Sequence, residues 1–93
     1  MEKQQPLISH EGHRKRLKMR FVAEGIDNFE PHVILEMILF YALPRQDTNE
    51  ISHRLLDAFG GSLSSVLDAS IEELQKVKGI GENAAILLKL FPE

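Results

Sequence analysis

The chain has 93 residues and no cysteine, which bounds it to one domain with a modest core and excludes disulfides and thiolate zinc sites. That composition suits a reducing cytoplasm, and the polar start at residues 1–6, with no apolar run behind it, excludes a secretory signal. The formal net charge of −3 excludes nucleic-acid affinity from overall charge, yet it is uneven: residues 1–20 carry six basic side chains against two acidic ones, and residues 21–93 carry five against twelve.

A polar segment, residues 1–8, is expected to be flexible, and residues 9–93 to form a single helical domain. The first helix is expected over residues 9–24. Leu17, Phe21, Met19, Val22 and Ala23 form its apolar stripe, and Gly25 ends it. Five cations cluster on it: Arg14, Lys15, Arg16, Lys18 and Arg20. They read either as a second contact for a polyanion or as a solvated face that pairs with the acidic body.

Pro31 suits the first turn of a second helix. Residues 33–43 are apolar nearly all round, interrupted by Glu36, so this helix should be the central element that the others pack against, closed by Pro44. The run is too short to span a bilayer. Asp47, with Glu50 three residues on, predicts an aspartate version of the capping box for a third helix that buries Ile51, Leu55, Leu56 and Phe59. Gly60 and Gly61 break it. Ser62 opens a short fourth helix with Leu63, Val66 and Leu67 facing in.

Ser70 with Glu73 predicts a second capping box, with Ala69 and Leu74 placed as its hydrophobic staple. The helix that follows ends at Gly79, and another begins after Gly81, with Ala84, Ala85, Leu87, Leu88 and Phe91 continuing its apolar face. No stretch alternates with period two. The fold class is therefore all-α, a compact bundle of five or six short helices.

The stretch from Leu74 to Leu88 carries the most specific pattern, Leu-x-x-Val-x-Gly-Ile-Gly-x-x-x-Ala-x-x-Leu. Gly79 can take the left-handed cap at no steric cost, Ile80 can anchor the turn inward, and the amides of Gly79, Ile80 and Gly81 are expected to face out at a helix N-terminus, where an anion is favoured. Lys76, Lys78 and Lys89 stand ready to reinforce a phosphate contact. The alternative is a packed helical corner without a ligand. The pattern, over about residues 70–91, resembles the helix-hairpin-helix motif of DNA repair and replication proteins, which holds the DNA backbone without reading sequence. In hairpins of that type that bind DNA well, a basic or small polar residue usually follows the second glycine. Glu82 and Asn83 hold those places here.

No catalytic or metal constellation accompanies it. His10 and His13 are three apart with Glu11 the one nearby acid, His32 and His53 read as exposed or locally bonded, and His13 is expected to tie the first helix to a carbonyl or carboxylate. Ser62, Ser64, Ser65 and Ser70 stand where helix starts need oxygens, with nothing placed to activate them as nucleophiles. Glu73 has its capping role, and Glu72, Asp57 and Asp68 read as a solvated face. Neither a pocket for chemistry nor an enzymatic activity, cofactor or metal is expected of this chain.

Several ordered motifs share one resemblance. Gly12-His13-Arg14-Lys15-Arg16-Leu17 with Arg20-Phe21, then residues 35–48 ending Pro44-Arg45-Gln46-Asp47-Thr48, then Leu55-Leu56-Asp57-Ala58-Phe59-Gly60 and the Gly79-Ile80-Gly81 hairpin, resemble the N-terminal region of the RadC family of bacterial proteins. The resemblance covers about residues 9–91. It implies a non-catalytic helical domain of a cytoplasmic DNA repair protein, followed in that family by a domain similar to JAB/MPN metalloproteases. That second domain's zinc site, a glutamate, a His-x-His pair and an aspartate, has no counterpart here. The expected partners are DNA, bound weakly and without sequence preference, and the family's metalloprotease-like domain. No membrane is expected. Three readings stay open: a DNA-backbone binder, a docking or regulatory domain, and a structural or dimerisation unit.

Overall fold

The computed structural model describes residues 5–91, with side chains from residue 12 onward. Six helices follow one another: α1 (Gln5–Glu24), α2 (Pro31–Phe40), α3 (Thr48–Ala58), α4 (Leu63–Asp68), α5 (Ile71–Gln75) and α6 (Glu82–Lys89). Among the described residues there is no strand. No helix among them is long and apolar enough to cross a membrane.

As the apolar run foretold, α2 is the hub, packed against α1, α3, α4 and α6. Its Leu35 and Leu39 are fully buried together with Leu55 of α3, Val66 of α4, Leu74 of α5 and Ala85 and Leu88 of α6. Each short helix is thus held by one or two inward side chains rather than by its own propensity, which helices of five or six residues cannot supply.

The helix ends follow local chemistry. Gly25 ends α1 at φ 79°, its amide bonded to the Phe21 carbonyl at 2.8 Å. Asp47 accepts from the Asn49 and Glu50 amides, but the Glu50 carboxylate pairs with Arg54 at 3.0 Å, so the expected capping box is only half made. Between Ser70 and Glu73 both halves are made, each at 3.0 Å, with Ala69 and Leu74 buried beside them.

Three boundaries and one face differ from expectation. Helix α1 begins at Gln5, four residues before Ser9. Helix α2 stops at Phe40, three residues before Leu43: the Tyr41 and Ala42 amides bond to carbonyls three residues back, tightening the turn. The carbonyls beyond it are then taken by the Arg14 guanidinium, which bonds Leu43, Pro44 and Gln46. Helix α6 stops at Lys89, so Phe91 lies outside it. The apolar stripe of α1 is half exposed, because only the side bearing Arg14 and Lys18 meets the aromatic rings of α2 and its cap. Met19 and Val22 remain 61% and 83% exposed.

His13 ties α1 to a carboxylate, as its position suggested. Its Nε2 lies 2.9 Å from the Oε2 of Glu36, a residue only 3% exposed at the centre of α2. His32 and His53 stack at 4.4 Å between ring centroids, an arrangement their spacing gave no sign of.

Candidate nucleic-acid interface

The hairpin between α5 and α6 is built from two buried apolar side chains and two glycines of different kinds. Val77 and Ile80 are buried in the main core and pin the turn from inside. Between them Gly79 has φ 100°, a left-handed conformation that favours glycine. A Cβ there would also lie 3.0 Å from the side chain of Ile51 on α3, so the backbone disfavours one and the Ile51 side chain would have to give way to it. Gly81 has φ −95° and ψ −169°, ordinary extended backbone, and a Cβ would meet nothing within 4 Å.

The amides divide accordingly. The Ile80 amide, expected to face out, donates to the Val77 carbonyl at 3.0 Å and is spent on closing the turn. Among the described residues nothing accepts from the amides of Gly79, Gly81, Glu82 or Asn83. The last three form the open N-terminal end of α6, where unpaired donors and the helix dipole together favour negative charge. Glu82, the first helical residue, places its own carboxylate at that end.

Arg54 of α3 braces the turn. Its Nη1 donates to the Lys78 carbonyl at 2.9 Å while its Nη2 pairs with Glu50, one helical turn earlier, at 3.0 Å. The tip is therefore held from α3 by Arg54 and Ile51. Neither residue belongs to the Gly-Ile-Gly pattern.

The predicted cations are not all in one place. Lys76, the cap residue of α5, and Lys78, in the turn, are exposed beside the tip. Lys89 sits at the far end of α6, roughly 10 Å along the helix axis from Glu82. Its Nζ donates to the Leu67 carbonyl at 3.0 Å and closes the end of α4.

Three cations of the α1 cluster are engaged with neighbouring rings and carbonyls, and of the five only Arg14 is partly buried. Arg14 bonds three carbonyls and lies 4.7 Å from the centre of the Phe40 ring. Arg20 lies 4.4 Å from the Phe29 ring centre, bonds the Asn28 carbonyl and pairs with Glu24. Lys18 stands over Tyr41 at 5.3 Å. Lys15 and Arg16 are exposed.

Three relatives share most of the chain. It is 42% identical to a protein of Fusobacterium nucleatum over 84 residues, which is 90% of this chain and 36% of that one. Its relatives are named UPF0758 proteins. The UPF0758 designation is the RadC family's older name, in agreement with the motif resemblance. Further UPF0758 proteins, of Ruegeria pomeroyi and Rhodobacter capsulatus, are 42% and 43% identical over 85% and 80% of this chain, covering 35% and 34% of their own length. The chain thus spans about a third of the UPF0758 relatives it matches. No protein-family model matches it, and no solved structure does.

Sequence reasoning missed Arg54 and the loss of the Ile80 amide. A four-residue spacing from Glu50 to Arg54 signals an ion pair on one helix. No local signal gives a guanidinium's bond to a carbonyl 24 positions away.

Proposed function

We propose that the α5–α6 turn is a helix-hairpin-helix and that the chain is a non-catalytic domain of a DNA repair protein, binding the DNA backbone weakly and without sequence preference. The observation that carries this reading is the group of amides at Gly79, Gly81, Glu82 and Asn83, left without an acceptor on a turn that Val77 and Ile80 pin from inside and Arg54 holds from α3. Backbone donors held rigidly at a helix start suit phosphate oxygens, and they carry no base information. Lys76 and Lys78 add charge beside them. Of the α1 cluster, Lys15 and Arg16 remain for a second contact. Arg14, Lys18 and Arg20 already serve the fold.

Titration with short duplexes at low and moderate salt tests the reading. Binding that weakens steeply with salt supports it, because each neutralised phosphate releases counterions. No binding at low salt refutes it.

A second reading, docking onto another domain, is favoured by a separate observation. At the other end of α6 from the hairpin lies an open apolar groove of about 450 Å³, walled by α1, α2, α4 and the residues after α6. The sequence leads to the expectation of no pocket for chemistry, and this groove is not one. It has no ionisable side chain in its lining apart from the Tyr41 phenol, so it offers a contact surface and no acid, base or nucleophile. On this reading the partner is the metalloprotease-like domain of the same protein or another repair protein.

A further inference from the structure

Two polar stretches, Gly12 to Leu17 and Pro44 to Thr48, take no part in the hairpin, and the fold brings them together. His13 and Arg14 of α1 meet Gln46, Asp47 and Thr48, at the start of α3, around a pocket of about 50 Å³, with Glu36 of α2 in its lining. One water-sized group needs roughly 10–15 Å³, so the space suits a small head group and not a drug-sized ligand. It shares no residue with the α5–α6 turn or with the apolar groove.

Two side chains of this lining are buried and incompletely bonded. Glu36 is 3% exposed; its Oε2 takes the His13 ring nitrogen at 2.9 Å, and among the described residues nothing donates to its Oε1. Thr48 is 2% exposed, and its hydroxyl has no hydrogen-bond partner among them. Such atoms are uncommon, because each forgoes the bonds it had in water. At the exposed mouth Asp47 spends its Oδ1 on the Asn49 and Glu50 amides, which leaves its Oδ2.

The cation in the wall does not answer these oxygens. Arg14 bonds the Leu43, Pro44 and Gln46 carbonyls, and among the described residues neither Glu36 nor Asp47 pairs with a lysine or arginine. Two acceptor-only carboxylates and a hydroxyl thus line one small space, and they call for a positively charged donor. A hard divalent cation is the poorer match, since it takes about six or more oxygens. No group of three His, Cys, Asp or Glu side chains is placed to hold a metal among the described residues. An ammonium offers three N–H donors on one compact head.

We infer that this pocket binds a primary ammonium group, with Glu36 Oε1, Thr48 Oγ1 and Asp47 Oδ2 accepting its three N–H bonds. The group belongs to a small free amine or to a lysine side chain of a partner protein, whose stem leaves past the exposed Gln46, Asp47 and Asn49. Neither DNA binding at the hairpin nor docking through the apolar groove depends on it.

The test titrates the 93-residue chain with methylammonium and with N-acetyl-lysine methylamide at constant ionic strength, followed by amide and methyl NMR. Saturable shifts concentrated at Glu36, Asp47, Thr48 and Asn49 are expected from both, tighter for the lysine derivative if a side chain is the natural guest and no tighter if a free amine is. Glu36→Gln should weaken the binding about tenfold or more, as for a buried charged contact. Asp47→Asn, which keeps the helix cap, should weaken it about threefold, as for an exposed one. Thr48→Val should weaken it as well, while Val22→Ser, on the outer side of α1, should not. Tetramethylammonium has the charge and no N–H, so equal shifts from it would overturn the proposal. The absence of saturable shifts with either amine, or binding that Asp47→Asn and Thr48→Val both leave unchanged, would do the same. Shifts at these residues produced by magnesium or calcium but by neither amine would overturn it in favour of a metal site, and a long-lived water at Thr48 that neither amine displaces would overturn it in favour of a structural water.

Discussion

Arg54 and Lys78, 24 residues apart in sequence, are joined by a 2.9 Å bond from a guanidinium to a backbone carbonyl, and the other arm of the same guanidinium holds Glu50. Only about a third exposed, the side chain serves as a strut between α3 and the hairpin. Arg54→Ala should cost about 1 kcal/mol of stability, the lower range for a charged hydrogen bond with partial exposure. In a domain this size that lowers the melting temperature by about 4–8 °C. Amide exchange should rise most at residues 77–83, a pattern that uniform loss of stability would not give.

The two glycines of the hairpin should respond differently. Gly79→Ala forces an L side chain into φ 100° and against Ile51 at 3.0 Å, for a loss of about 2–3 kcal/mol. At Gly81 the backbone is extended and the space is open, so Gly81→Ala should stay within about 0.5 kcal/mol, a small loss of cap quality offset by a stiffer unfolded chain. Urea denaturation of the two variants measures the difference. If Gly81→Ala keeps its stability and loses duplex binding, close approach of the backbone to a ligand is the reason for that glycine.

Much of this architecture could be read in advance, and the failures share a physical cause. Local chemistry placed the Ser70–Glu73 box, the Gly25 stop and the burial of α2, because each depends on residues within a few positions. What could not be read is where long cationic side chains go. Arg14, Lys18, Arg20 and Lys89 looked like a charged surface, but each reaches over apolar rings or to carbonyls on another element. The apolar groove has the same origin, for the Met19 and Val22 side of α1 turned outward and left Phe21 and Ile26 half covered.

Arg14 and its neighbour Lys15 therefore separate structure from surface charge. Removing the Arg14 side chain frees the Leu43, Pro44 and Gln46 carbonyls and uncovers the Phe40 ring. Arg14→Ala should cost about 2 kcal/mol, since the carbonyls are mostly near solvent and recover part of their bonding from water. Arg14→Lys recovers little of it, because one ammonium cannot reproduce the fork. Lys15→Ala should change stability by less than about 0.5 kcal/mol.

The pair of His13 and Glu36 holds α1 to the hub. Glu36 is 3% exposed while His13 is 45% exposed, so removing the histidine leaves a buried carboxyl oxygen without its partner. His13→Ala should cost about 2 kcal/mol. The double variant with Glu36→Leu should lose less than the two single losses together, because the unpaired buried group is gone. Chemical denaturation of the four-member cycle gives the coupling.

Glu82 decides how strongly the hairpin holds an anion. It is the first residue of α6, where its carboxylate satisfies the helix dipole and opposes a phosphate approaching the free amides of Gly81 and Asn83. Glu82→Gln should tighten duplex binding severalfold at low salt, and Glu82→Lys further, steepening the salt dependence by about one phosphate contact. Lys78→Ala should do the reverse. Its side chain is exposed, and the Arg54 strut grips only its carbonyl, so the loss of affinity should come without loss of stability. Lys89→Ala should show the opposite split, weakening the α4–α6 contact while leaving the salt slope unchanged, since its ammonium is bonded to Leu67 at the far end of α6. If Lys89→Ala and Lys78→Ala shift the salt slope equally, the contact with DNA does not lie at the hairpin tip.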